Sequence, residues 1–261
     1  MKIAYAGIDL FYPALEALTG SGCEIIKIYT CETDNETEFN VQVIATAKQH
    51  KIPYTTARIR REDISWLKSQ GCEALICAGY YYRIPVDQDL YMVNIHPSLL
   101  PVGRGSWPMP QTILQEHAQS GVTIHKMAEQ FDTGDILLQE SFPVAKDETL
   151  ETFMTKIHRL LPEMVLRLLA DFENLYANAR PQGPGEYWKA PKEKDWTVDA
   201  SMDMEHIDKI LRAFYGYDCI YKTGNKTYRL LRARTAFKKE GDGIYLPLND
   251  GYIKADYAEE L

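Results

Sequence analysis

Apolar and polar positions along the first 100 residues follow two spacings in turn. Short apolar runs that end at glycine or at a polar pair predict buried strands, and apolar residues at helical spacing predict the helices between them. The predicted strands are Ile3–Ala6, Glu24–Tyr29, Ile52–Thr55, Ala74–Ala78 and Met92–Ile95. The predicted helices are Tyr12–Leu18, Glu36–Gln49 and Asp63–Gln70. Alternation of helices with wholly apolar strands indicates an α/β fold with a mostly parallel, Rossmann-like sheet wrapped by helices.

The next 80 residues continue this pattern with longer elements. A helix is predicted over Pro108–His117, and Gly121–Met127 and Ile136–Val144 are predicted as strands that can pair antiparallel. A helical period then extends over Thr149–Ala179, and Pro162 is expected to kink or split that helix because proline lacks the backbone N–H. The first 180 residues are therefore interpreted as one domain.

A Pro/Gly-rich connector over residues 181–200 marks the predicted domain boundary. Residues 201–261 then show one helix, Met204–Phe214, followed by short strands separated by Gly-Asn and Asp-Gly turns. This pattern predicts a small C-terminal β domain.

Charge and composition narrow the class of protein. The chain has 261 residues, 45% hydrophobic and 25% charged, with a net charge of −8. Residues 1–180 hold 16 basic and 23 acidic side chains, and residues 181–261 hold 13 and 14. This balance argues against a strongly basic nucleic-acid binder. No apolar run approaches the ~20 residues that span a bilayer, and the N-terminus does not resemble a secretory signal, so we expect a cytoplasmic protein with no membrane partner.

One basic stretch departs from the acidic average. Between Lys222 and Lys239 the chain has seven basic side chains and no acidic one. This stretch is either the solvated face of a β-hairpin or a surface that contacts phosphate.

Several common cofactor and metal motifs are absent. There is no G-x-G-x-x-G, no phosphate-binding P-loop, no H-E-x-x-H and no G-x-S-x-G in the chain. The five cysteines contain no C-x-x-C pair and fit neither a zinc site nor a disulfide framework, so we expect free structural thiols and no metal.

Polar side chains collect where the predicted strands end, which is where ligands bind in open parallel sheets. Asn94 and His96 alternate onto one face at the exit of a strand. An amide can donate to a developing oxyanion, and an imidazole can take a proton from a nucleophile or stabilise the oxyanion when it is charged. A buried, structurally satisfied histidine is the alternative for His96 alone, but the Asn-x-His pair together with a second polar cluster favours catalysis.

The second cluster is the turn around Asp132, and a carboxylate beside His96 would favour its charged form and orient the ring. Asp135 can equally be a turn-former, and His125 is interpreted as a core histidine in preference to a partner of the site. A third segment, Tyr80–Pro85, follows a buried strand and can present an aromatic wall to a heterocycle.

The segments Asn94-Ile95-His96-Pro97-Ser98-Leu99-Leu100-Pro101, Gly103-Arg104-Gly105, Gly121-Val122-Thr123-Ile124-His125 and Asp132-Thr133-Gly134-Asp135 occur in order along the chain. Together they resemble the 10-formyltetrahydrofolate-dependent formyltransferase family, most closely its methionyl-tRNA and amino-sugar branches. The resemblance implies that Asn94, His96 and Asp132 are catalytic. It implies that the C-terminal domain is a truncated OB-like one. It also implies 10-formyltetrahydrofolate as the co-substrate.

The resemblance implies further binding residues. Those expected at the folate are Tyr80, Tyr81, Tyr82, Arg83, Ile84, Pro85, Glu129, Gln130, Phe131 and Asp135. Those expected at the acceptor are Ser98, Arg104 and Gly105. The implied reaction is attack of a primary amine on the formyl carbon, with Asn94 and charged His96 stabilising the tetrahedral oxyanion.

The sequence leaves several acceptors of the formyl group open. A nucleotide-linked amino sugar fits the acidic chain and the short C-terminal domain, or tail, over residues 201–261. Methionyl-tRNA fits the presence of the tail and its basic stretch but is disfavoured by the overall charge, and the amine of another small metabolite is a third choice. A formyltetrahydrofolate hydrolase and a non-catalytic folate-binding module are the alternative classes, and a homodimer is possible.

Overall fold

The first of two sheets has seven strands, and the computed structural model describes residues 1–261. In chain order the strands are β1 (Lys2–Gly7), β2 (Glu24–Tyr29), β3 (Tyr54–Thr55), β4 (Ala74–Ala78), β5 (Tyr91–His96), β6 (Gln119–Lys126) and β7 (Ile136–Pro143). Their order across the sheet is β3-β2-β1-β4-β5-β6-β7. The first five are parallel, and β6 runs antiparallel to β5. The predicted Rossmann-like, mostly parallel sheet is confirmed.

The strands β6 and β7 form the antiparallel pair expected from the sequence. Lys126 N donates to Asp135 O at one end of the pair, and Val144 N donates to Ala118 O at the other. Gly121 permits the close packing here, because a Cβ atom at this position would lie 2.0 Å from Glu140 O. The pairing places the turn that contains Asp132 at the end of β6.

Six helices accompany this part of the chain: α1 (Tyr12–Gly20), α2 (Val41–Gln49), α3 (Arg61–Ser69), α4 (Pro108–Leu114), α5 (Leu150–Ala170) and α6 (Phe172–Ala177). The helix expected from Glu36 begins five residues later, at Val41. The Asp34 carboxylate accepts the backbone N–H groups of residues 36–38 and holds them in a turn. The Asp9 carboxylate then accepts the N–H groups of residues 42 and 43, which caps the true first turn.

The long C-terminal helix of this region is not split at Pro162. The helix α5 continues through Pro162, and the break lies at Asp171, between α5 and α6. The helix is therefore not split at Pro162, and the kink expected as the other outcome stays a prediction. The apolar face of α5 continues past the proline, with Leu161, Met164 and Leu168 at 1% exposure or less, and that burial holds the helix together.

The second sheet has five strands, and one helix belongs to the same part of the chain. These elements are β8 (Thr197–Asp199), α7 (Met204–Ala213), β9 (Cys219–Thr223), β10 (Lys226–Ala236), β11 (Ile244–Leu248) and β12 (Gly251–Glu260). The strand order is β11-β12-β10-β9-β8, so β10 lies at the centre. The predicted small second sheet is confirmed, and β8 is an additional strand that the sequence pattern did not indicate.

Packing divides the chain into two compact units. The first consists of Met1–Arg104, Gly121–Ser141 and Lys156–Tyr187. The second consists of Gly105–Ser120, Phe142–Thr155 and Trp188–Leu261. All five cysteines are free thiols. None of the helices has the length and apolar content needed to cross a membrane.

Candidate active site

Three polar side chains predicted to be catalytic meet at the carboxyl end of β5. In the sheet, Asn94 pairs with Cys77 of β4 and with His125 of β6. Asn94 Nδ2 lies 3.3 Å from Asp132 Oδ1, and His96 Nδ1 lies 3.6 Å from the same oxygen. One carboxylate oxygen therefore faces both the amide and the imidazole.

Asp132 takes its position from an unusual backbone conformation. Its φ angle is +57°, in the left-handed region that a non-glycine residue rarely adopts. Two residues on, Gly134 lies so close to the end of β6 that a Cβ atom would be 1.9 Å from Lys126 O. The turn is therefore pressed against the strand and directs the carboxylate of Asp132 towards β5.

The hydrogen bonds of His96 define where its proton resides. The ring Nε2 lies 2.7 Å from the carbonyl oxygen of Gly103. Because a carbonyl only accepts, Nε2 carries a hydrogen, and Nδ1 of the neutral ring has a lone pair that faces Asp132. Protonation of Nδ1 would convert this arrangement into an ion pair.

Burial lowers the pKa of His96 below its ordinary value, and the Asp132 carboxylate and the Gly103 carbonyl oppose that effect without cancelling it. The sequence led us to expect that Asp132 would favour the charged ring, and it does so. However, the cost of desolvating a charge at a side chain that is 6% exposed is larger. His96 is therefore neutral in the resting protein near pH 7.

His125 lies in the core, as expected, and also contacts the candidate site. Its Nδ1 donates to the carbonyl of Lys126 at 2.7 Å, so Nε2 of the neutral ring is an acceptor. Asn94 Nδ2 lies 3.2 Å from that Nε2. The two N–H bonds of Asn94 are thus directed by His125 and Asp132, so His125 orients the amide as well as filling the core.

The two loops expected to bind folate lie side by side. Arg83 donates to the backbone carbonyl of Glu129, lies 3.4 Å from its carboxylate, and stacks over the Phe131 ring with a centroid distance of 5.8 Å. Tyr81 and Phe131 are 45% and 53% exposed, so both aromatic rings present surface to solvent beside these loops. The fit to a flat heterocycle rests on these exposed rings.

Other members of the expected folate set face the protein. The Tyr80 hydroxyl accepts from Ile59 N and donates to Ala57 O, and Tyr82 packs against Arg58. Ile84 is buried in a core cluster that includes Ile59.

Of the remaining members, Asp135 and Gln130 belong to the turn around Asp132, and Pro85 belongs to the Tyr80–Pro85 segment. Asp135 lies 3.4 Å from Lys126 Nζ. Gln130 is exposed and its carbonyl accepts from Thr133. Pro85 is partly buried.

The residues expected at the acceptor shape the loop that carries Gly103. Ser98 donates to Val102 O at 2.7 Å and also approaches Gly103 O at 3.3 Å. The Arg104 guanidinium donates to Gln182 and to Gly183 O. Gly105 follows with a φ angle of +109°. Sequence reasoning missed Gln182 and the Gly103 carbonyl, since neither gives a signal in local spacing.

Residues 20–169, more than half of the chain, match the formyl transferase family, and the chain belongs to that family. Two relatives are methionyl-tRNA formyltransferases. The one from Anaplasma marginale is 29% identical over 244 residues, covering 89% of this chain and 80% of that protein. The one from Herminiimonas arsenicoxydans is 31% identical over 236 residues, covering 82% and 74%.

Solved structures share the fold at lower identity. HypX from Aquifex aeolicus, in complex with tetrahydrofolic acid, gives a TM-score of 0.73 at 17% identity, covering 99% of this chain and 44% of HypX. The chain therefore spans less than half the length of HypX. A methionyl-tRNA formyltransferase from Clostridium thermocellum gives 0.66 at 18%, covering 100% and 99%. A 4-N formyltransferase from Francisella tularensis gives 0.68 at 19%, covering 84% and 91%.

Proposed function

We propose that this formyltransferase moves the formyl group of 10-formyltetrahydrofolate to the primary amine of a small acceptor, such as a nucleotide-linked amino sugar. The observation that carries the reaction is the convergence of Asn94 and His96 on one oxygen of Asp132. The tetrahydrofolic acid bound by HypX supports the choice of donor. The exposed rings of Tyr81 and Phe131 offer flat surfaces for its heterocycle.

The proposed chemistry divides between the three side chains. The amine attacks the formyl carbon, and His96 takes up the proton that the amine loses, at Nδ1 beside Asp132. The new imidazolium is stabilised by the carboxylate. Asn94 then donates to the oxyanion with one of the N–H bonds now directed at His125 and Asp132. The Nε2–H of His96 does the same by exchanging Gly103 O for the substrate oxygen. His96 then returns that proton to N10 of the folate as the C–N10 bond breaks, so collapse of the tetrahedral species transfers the formyl group, releases tetrahydrofolate and leaves His96 neutral again.

The basic stretch of the second unit supports a small acceptor. Five of its seven cations are matched by carboxylates within 3.3 Å. These pairs are Lys226 with Glu260, Arg229 with Asp218, Arg232 with Glu151, Arg234 with Asp208, and Lys238 with Glu240. Cations that already pair with carboxylates neutralise few phosphates. Binding of a nucleic acid to this surface would therefore release few counterions and gain little free energy.

The acidic loop of the first unit supports the same choice. Residues 32–38 hold four acidic side chains and no basic one, and they follow β2 at the carboxyl edge that also carries His96. The loop is joined to the Tyr81 segment, because Tyr81 N lies 3.3 Å from Cys31 Sγ. Negative charge at this edge repels an acceptor with a long run of phosphates.

Methionyl-tRNA is the second candidate acceptor, and a specific observation favours it. The relatives at 29–31% identity are methionyl-tRNA formyltransferases, and the chain covers 74–80% of their length. An extended alignment of this kind includes part of the C-terminal domain.

An acceptor panel tests both candidates. The protein is incubated with 10-formyltetrahydrofolate and with either methionyl-tRNA or nucleotide-linked 3- and 4-amino sugars, and tetrahydrofolate release is followed. We expect turnover with a sugar amine, and kcat/KM that changes little between 50 and 200 mM salt. Turnover with methionyl-tRNA alone, falling steeply with salt, would select the second candidate. Asn94→Ala should reduce turnover by about 10²–10³-fold; wild-type turnover in this variant would refute the assigned site.

A further inference from the structure

We infer that Gln182, in the Pro/Gly-rich connector, is a positioning residue that holds the catalytic turn at Asp132 and ties it to the loop that carries the partner of His96. The inference rests on the proposed function, because it concerns the same catalytic side chains. It assigns to the connector a part in catalysis beyond linking two segments of the chain.

The amide nitrogen of Gln182 binds the turn from one side. Gln182 Nε2 lies 3.0 Å from the backbone oxygen of Asp132 and 2.6 Å from that of Gly134. Both N–H bonds are therefore used on the two carbonyls that flank residue 133. These contacts fix the backbone of Asp132 in the left-handed conformation that aims its carboxylate at His96. Such a conformation persists only where neighbouring groups hold it.

The amide oxygen of Gln182 binds a different loop. Gln182 Oε1 accepts from Arg104 Nε at 3.1 Å and from Nη2 at 2.8 Å. Arg104 Nη2 also donates to Gly183 O at 2.9 Å. Arg104 directly follows Gly103, whose carbonyl accepts from His96. The amide thus connects the Asp132 turn to the backbone that fixes the His96 tautomer.

The connector itself is fitted against this loop. At Gly185 a Cβ atom would lie 2.3 Å from Pro101 O, so only glycine allows the chain to pass this closely. The contact keeps the connector in register with the Arg104 loop. A glutamine is suited to the position because one planar amide supplies two donors to carbonyls and an acceptor to a guanidinium.

The contacts form a closed circuit. It runs from Asp132 Oδ1 to His96, from His96 to Gly103 O, along the chain to Arg104, and through Gln182 back to the backbone of Asp132. Breaking the circuit at Gln182 frees the turn without touching any catalytic side chain. A retreat of the carboxylate from 3.6 Å to about 5 Å, at an effective dielectric of about 20, lowers the protonated fraction of His96 about tenfold.

The test is Gln182→Met, which keeps the length of the side chain and removes its donors and acceptor without adding charge. Gln182→Asn keeps the amide on a shorter stem and serves if the first variant folds poorly. Gln49→Met, at an exposed position of α2, is the matched control. The readouts are kcat, both KM values, the pH profile of kcat, and the titration of His96 by ¹⁵N NMR in the folate-free protein.

We expect a fall in kcat of about 10²-fold, since a misplacement of about 1 Å has that effect, with KM values within threefold. We expect the His96 titration to move to lower pH in both Gln182 variants and to stay unchanged in Gln49→Met. A purely structural role would lower the amount of folded protein and leave the titration in place; that result, or a kcat within threefold of wild type, would overturn the inference. If no amine is formylated by the wild type, the proposed function fails, and the NMR titration still decides whether Gln182 positions Asp132.

Discussion

Replacing the carboxylate of Asp132 by an amide is the sharpest perturbation of the site. Asp132→Asn keeps the shape of the side chain and an oxygen that can accept from Asn94. It removes only the negative charge, which lies 3.6 Å from His96 Nδ1. Both side chains are at most 10% exposed, so solvent screens the pair weakly.

The magnitude follows from this distance. Opposite unit charges 3.6 Å apart attract by about 5 kcal/mol at an effective dielectric of about 20. This is a factor of about 10³ in the stability of the imidazolium. Because burial already lowers the pKa of His96, the variant loses the principal group that opposes burial. We therefore expect kcat to fall by about 10³-fold, with folate affinity within threefold of wild type.

Two measurements check this expectation. Tetrahydrofolate release gives kcat across pH 5.5–8.5 with the acceptor that the panel identifies, and ¹⁵N NMR gives the His96 titration without any acceptor. Asp147→Asn, at an exposed position, is the matched control. The reasoning is refuted if Asp132→Asn retains more than a tenth of wild-type kcat, or if the pKa of His96 does not fall.

The remaining predictions concern packing and pH. Gly134→Ala should displace the catalytic turn, because its Cβ would lie 1.9 Å from Lys126 O, and should lower kcat by about 10²-fold with little change in circular dichroism. Arg212→Met should lower the free energy of unfolding by about 1.5–3 kcal/mol in urea titrations, because the Asp208 carboxylate loses its 2.8 Å partner while Arg234 and Thr235 still contact it. In the wild type, the lowered pKa of His96 means that the unfolded chain binds more protons than the folded one, so stability should fall as pH drops below about 6.5. His96→Gln should flatten that decline in urea titrations between pH 5 and 7.5.

The parts of the fold that the sequence predicts are those set by local pattern. The run Ala74–Ala78 is buried along its whole length and forms β4 with the predicted bounds. The alternation over β5 places Asn94 and His96 on one face, which is enough to anticipate a polar pair at the sheet edge. Periodicity therefore predicts the strands of the sheet and the Asn94–His96 pair of the candidate site.

The parts that escape prediction depend on contacts between distant residues. The start of α2 is decided by Asp9, which caps the helix from more than 30 positions away. Gln182 reaches Asp132 across 50 residues, and no local spacing encodes that bond. The protonation state of His96 likewise follows from the balance between burial and one carboxylate. The sequence names these groups but does not give the burial or the distance.

A neutral histidine beside a buried carboxylate suits a reaction in which the histidine carries a positive charge for only part of the cycle. A permanently charged His96 could not accept the proton of the attacking amine. A neutral ring without Asp132 could accept it only at the full cost of placing a charge in a buried site. The geometry lies between these extremes: Nε2 is held as a donor by Gly103, and Nδ1 is the basic atom facing the carboxylate. The carboxylate is in place before the charge develops, so the reorganisation needed when the amine attacks is limited to exchanging existing hydrogen bonds of Asn94 and His96 for bonds to the substrate oxygen. The fold supplies that arrangement by holding Asp132 in a left-handed backbone conformation, so we expect the groups that support this turn to affect the rate more than the substrate affinity.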